Sequence, residues 1–148
     1  MNRLMKAVVA AGICAAILAS SGSGAWAQEN GDALYRDLGE MDGIRKIIDE
    51  FKRITLVDPR IKDSFKDSDI PHLKMRLAEQ FCALAGGPCK YGGKDMTTIH
   101  EDLGITIVQF NALTEDLQLA LDRNGIPYRV QNRLIARLAP MQREVVTK

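Results

Sequence analysis

The chain predicts an all-α domain, on three observations. Apolar residues recur at helical spacing almost throughout, no segment alternates convincingly with a period of two, and glycine, proline and aspartate fall where helices start and stop. The first residues are set apart from this pattern. Arg3 and Lys6 precede an apolar run from Ala7 to Leu18, a polar stretch from Ser20 to Gly24, and Ala25-Trp26-Ala27, which has the small-x-small form of a cleavage site. This reads as a secretory signal peptide over residues 1–27, cut after Ala27, and points to a periplasmic or secreted protein. An uncleaved membrane anchor is the alternative, but the apolar run falls short of the roughly 20 residues that a spanning helix needs. Cys14 lies inside the run rather than at its end, which argues against a lipid-anchored cysteine.

Each element of the remaining domain, residues 28–148, has its own signals. Asp32 can cap a short first helix carrying Leu34, Tyr35 and Leu38 and stopped at Gly39. A second helix is expected after Asp42-Gly43, with Ile44, Ile47, Ile48, Phe51 and Thr55 on one arc, and Asp58-Pro59 ends it. Asp69, with Pro71 in the first turn, opens a third helix whose stripe is Leu73, Leu77, Phe81 and Leu84, stopped by Gly86-Gly87. A short helix is expected from about Gly93 to Leu103. Another follows Gly104, with Phe110, Leu113, Leu117, Ala120 and Leu121 inward and Asn124-Gly125 as its C-cap. Pro127 opens the last helix, expected to run on through Val130, Leu134, Leu138, Met141 and Val145.

Composition narrows the function classes. Without Arg3 and Lys6 there are 18 basic against 19 acidic residues, so no basic surplus points to nucleic acid or to an anionic membrane. Cys82 and Cys89 are the two cysteines that survive cleavage. In an oxidising compartment a close even pair is a disulfide candidate; two free thiols are the alternative, and a zinc site is disfavoured because zinc normally takes four ligands.

The densest pattern is Gly86-Gly87-Pro88, Tyr91, Asp95-Met96, His100, Leu103-Gly104-Ile105-Thr106 and Phe110. His100, one of only two histidines, sits on a short helix framed by glycine turns, an arrangement able to hold haem iron from one side. In order and spacing these residues resemble the truncated haemoglobins, group I in particular, from about Leu34 to Val146. The resemblance implies a truncated globin fold, a two-over-two helical sandwich around haem b. It implies that His100 gives Nε2 to the iron while a backbone or water acceptor orients its other nitrogen. Met96, Ile99 and Ile105 would touch the porphyrin, and Phe51, Phe65, Phe81 and Phe110 would line the pocket. Arg76 would face a propionate, with Lys74, Tyr91 and Lys94 as weaker candidates. His72 is expected exposed or near a haem edge, a sixth-ligand role being the lesser reading.

The gas side departs from the family. Many group I proteins carry a Phe-Tyr pair whose hydroxyl bonds to the bound gas; here the pair reads Phe51-Lys52. Lys52 lies at the border of its helix's apolar arc and is expected to snorkel to solvent; the alternative is a desolvated amine over the haem. Leu73 and Leu77 stand at positions often polar in the family. Gln80 lies inside the apolar stripe, either as a donor to the gas or bonded to backbone or another helix. The implied function is reversible binding of oxygen, NO or CO. The alternatives are an NO dioxygenase or a peroxidase- or nitrite-reductase-like enzyme using an external reductase, and a haem carrier or interaction module.

Overall fold

The computed structural model describes residues 31–148, and every regular element among them is helical. The signal-peptide reading falls outside the described residues. Helix α1 (Ala33–Asp37) is short. Asp32 stands at its N-cap position but makes no capping bond; its carboxylate pairs with Arg36 at 3.2 Å instead.

Helix α2 (Glu40–Thr55) starts two residues ahead of the expected Asp42-Gly43, which lie inside it. Gly39 makes the reversal at φ +83°, a left-handed step that glycine takes without a Cβ penalty. Gly43 is a packing residue rather than a start signal, because a Cβ there would collide with the Leu38 carbonyl oxygen. The expected arc is buried: Ile44, Ile47, Ile48, Phe51 and Thr55 all face inward. A 3-10 turn (Lys62–Phe65) then leads to helix α3 (Ile70–Leu84). Asp69 caps α3 by accepting from the His72 amide at 3.0 Å, and Pro71 sits in the first turn.

Helix α4 (Met96–His100) is shorter than expected. Asp95 sets its start by accepting from the Thr98 amide, and ahead of it the Gly92 amide is drawn out to Glu79. Helix α5 (Ile107–Arg123) opens with a reciprocal capping box between Thr106 and Gln109. Helix α6 (Tyr128–Leu138) follows Pro127. The last helix does not run on to Val145. Pro140 has no N–H to continue the ladder, so a 3-10 turn (Ala139–Met141) intervenes before helix α7 (Gln142–Val145).

Helix α2 packs on α3 and α5, and α6 on the same two, giving two helices over two. The core between them is mainly aliphatic, with Ile44, Ile47, Ile48, Leu117, Leu121, Val130 and Leu134 buried beside Phe51 and Phe81. Helix α4 stands outside this core and rests on α7. A disulfide joins Cys82 near the end of α3 to Cys89 in the following loop, with Cα atoms 5.8 Å apart, inside the range such a bond tolerates.

Candidate functional site

A cavity of about 510 Å3 opens between α2, α3, α4 and α5. Phe51 and Lys52 from α2, Phe65 from the 3-10 turn, and Leu73 and Leu77 from α3 supply much of its wall; Met96, Ile99 and His100 from α4 supply another part. A smaller inner cavity of about 140 Å3 shares Phe51, Leu77, Gln80, Met96 and His100 with it and adds Phe81, Phe110 and Met141. The four phenylalanines therefore do meet around one hollow, two of them on its inner side only.

His100 is positioned by its own helix. Its Nδ1 lies 2.7 Å from the Met96 carbonyl oxygen one turn earlier. A carbonyl can only accept, so Nδ1 carries a proton, and the tautomer this selects has its lone pair on Nε2. The imidazole thus has a defined tautomer on the wall of an apolar cavity.

Ile105 and Lys74 are not part of this wall. Ile105 is buried where the chain end meets the start of α5: its amide donates to Thr147 Oγ1, and its carbonyl accepts from the Thr147 and Lys148 amides. Lys74 turns to the other side of α3 and pairs with Asp49 at 2.9 Å. Arg76, Tyr91 and Lys94 do line the cavity, with His72 exposed beside them. Arg76 is shared: its guanidinium donates to Glu79 at 2.8 Å and approaches His72 Nε2 at 3.4 Å. The Gly92 amide and Arg76 together hold the Glu79 carboxyl below its ordinary range. Tyr91 donates to the Lys94 carbonyl oxygen at 3.0 Å, which ties this part of the loop together.

Lys52 does not snorkel. It is 1% exposed, and its Nζ sits 3.4 Å from the centroid of the Phe65 ring and 5.5 Å from that of Phe51. Among the described residues no hydrogen-bond acceptor reaches that nitrogen. Desolvation lowers its pKa to about 8; Asp116 opposes the shift and Lys74 adds to it. Gln80 is also buried, and its amide is already engaged with the thioether sulfurs of Met96 at 3.4 Å and Met141 at 3.6 Å. Those are weak acceptors on other elements, so of the two readings left open for Gln80, the bond to another element is the one this contact resembles.

Sequence reasoning passed over Leu113, Ser68 and Asp69, which also line the cavity. It also passed over Asp116, buried on α5 with one unpartnered oxygen and its pKa raised chiefly by burial. An acidic residue at a stripe position of α5 was the available signal for the last.

Comparison with known proteins agrees with this geometry. The family model of the bacterial-like globins matches residues 33–147. The group 1 truncated hemoglobin GlbN of Mycolicibacterium paratuberculosis is 27% identical over 115 residues, covering 78% of this chain and 85% of that protein. The group 1 truncated hemoglobin of Tetrahymena pyriformis is 30% identical over 99 residues, covering 67% of this chain and 82% of that protein. The crystal structure of the Tetrahymena pyriformis truncated hemoglobin in its Fe(III) form aligns with a TM-score of 0.75 at 27% identity, covering 78% of this chain and 98% of that one. The chain belongs to the bacterial-like globin family, as a group I truncated haemoglobin, and is a haem-binding globin for diatomic gases.

Proposed function

We propose that this globin holds haem b through His100 and binds oxygen, NO or CO reversibly in the hollow beside Lys52. The observation that carries the reading is the His100 ring itself, with Nδ1 committed to the Met96 carbonyl and Nε2 left as the ligating atom on a cavity wall. The residues present fit the prosthetic group. The hollow is large and mostly apolar, as a porphyrin face requires, and Arg76, Lys94 and Tyr91 supply cations and a hydroxyl for carboxylates at its polar edge. When bound, ferrous haem supplies the iron that takes a diatomic gas.

The protein's own side chains then divide the work. His100 fixes the iron from one side. Phe51, Phe65, Leu73 and Leu77 exclude water and give the gas a dry site. The Gln80 amide is occupied by two sulfurs, so the donor best placed to serve a polarised gas is the unpartnered Lys52 ammonium. Removal of residues 1–27 and action in the periplasm or outside the cell complete the proposal; the Cys82–Cys89 pairing supports an oxidising compartment. Any redox turnover would draw on an external reductase.

The test is His100→Ala in the mature chain, titrated with haem and read by absorption in ferric, reduced and CO-bound forms. Wild type should bind one haem and give a histidine-ligated CO spectrum, and the variant should lose that spectrum and most of its haem affinity. An unchanged spectrum and affinity in the variant would refute the assignment of His100.

A further inference from the structure

We infer that Lys52 is a specificity-determining residue of the gas side of the cavity: its ammonium biases that side toward a small monovalent anion over a neutral diatomic gas. This rests on the haem reading above and concerns what else that same site accepts.

A buried charge is costly unless it is paired. Lys52 is almost wholly removed from solvent, and its Nζ finds no acceptor among the described residues. The faces of Phe65 and Phe51 give it partial compensation. Leu73 and Leu77 line the same cavity, together with Ser68, Asp69 and His72. The charged groups nearby do not neutralise it. Asp69 lines the cavity but is committed to the first turn of α3. Asp116 acts from α5 only through its field, and makes no hydrogen bond to Nζ. Lys74 on α3 repels it. Lys52 is still mainly protonated at neutral pH, since its lowered pKa is about 8. One cation with three N–H donors and no hydrogen-bonded anion among the described residues, facing a hollow, therefore asks for one negative charge. The occupant is small, because two aromatic rings lie against the amine and leave it almost no exposure, and monovalent, because it answers a single ammonium. Arg76 and Lys94 on the same cavity add positive field for its approach.

The test uses the haem-loaded mature chain, as wild type and Lys52→Met, with azide on the ferric form as the anionic probe and CO on the ferrous form as the neutral one. Methionine keeps the length of the stem and removes a buried charge, so the variant should fold. Azide affinity should fall by roughly tenfold to a hundredfold in Lys52→Met, the worth of a hydrogen bond to a charged group. CO affinity should change by less than about threefold, since CO gains little from a donor. Azide affinity unchanged, or lost in equal proportion to CO affinity, would overturn the inference. So would a low-spin ferric spectrum in wild type that is absent from Lys52→Met without added ligand, because Lys52 would then be occupying the iron itself. Failure of the wild type to take up haem would overturn the haem reading and this inference with it; haem uptake with unaltered azide affinity would overturn this inference alone.

Discussion

Lys52 has a stem long enough to reach water from the rim of α2, yet its amine is buried against the Phe65 ring. Its burial has a measurable consequence for stability. Its pKa falls from 10.5 to about 8 on folding. Between those two pH values the unfolded chain holds more proton than the folded one, so stability rises with pH across that window, by roughly 3 kcal/mol for this one group. Below about pH 8 both states are charged and the folded state bears the buried cation; above 10.5 both are neutral. Lys52→Met should therefore be more stable than wild type at pH 7, and the difference should shrink as pH rises toward 10.5. Denaturant unfolding of the two proteins across that range checks it; a constant difference would mean the amine is not desolvated. Helical projection could not settle the placement, because Lys52 lies at the border of the arc centred on Ile44, Ile48 and Phe51. The deciding group is Phe65, from a separate turn thirteen residues along the chain. The seat of His100 on a short helix was legible, because its spacing to flanking glycines and to Met96 is local. The sulfur partners of Gln80 were not, since Met141 arrives from another element.

At the scale of the helices, most boundaries follow from side chains that act within one turn. Asp69, Asp95 and Thr106 each cap the helix that follows. The errors come from tertiary contact. Asp42-Gly43 has the form of a start signal, but Gly43 serves a close approach of α1 to α2. This reverses the usual effect of a substitution. Replacing glycine by alanine inside a helix normally stabilises by about 1 kcal/mol. Gly43→Ala should instead destabilise by roughly 2 kcal/mol through overpacking against the Leu38 carbonyl. Thermal melts of the variant decide the sign, and a raised midpoint would show that α1 can shift away at little cost. Pro140 was a readable break that the continuing apolar stripe obscured: Met141 and Val145 still face inward, but from a 3-10 turn and a separate short helix.

In the whole molecule the two-over-two core and the helix that carries His100 are stabilised by different parts of the chain. Helices α2, α3, α5 and α6 bury one another, and their long amphipathic stripes made that architecture readable in the sequence. Helix α4 is only five residues and depends on α7 and on the bonds between Ile105 and Thr147. That dependence joins segments over forty residues apart and leaves no local signature. Deleting residues 142–148 should leave the helical content of the core largely intact while weakening haem retention about tenfold or more, because His100 would lose its support. Circular dichroism and the rate of haem transfer to an acceptor protein separate the two effects; equal loss of both would mean that the molecule unfolds as a single unit.

The partner of His100 Nδ1 also bears on oxidation state. A carboxylate in that place would draw the ring toward imidazolate and favour the ferric metal; the Met96 carbonyl is neutral and draws far less. If His100 holds the iron as proposed, this neutral acceptor would bias the midpoint potential toward the ferrous form, the form that oxygen and CO require. The backbone of one short helix would then set that bias, by a choice of acceptor that involves no side chain other than the histidine.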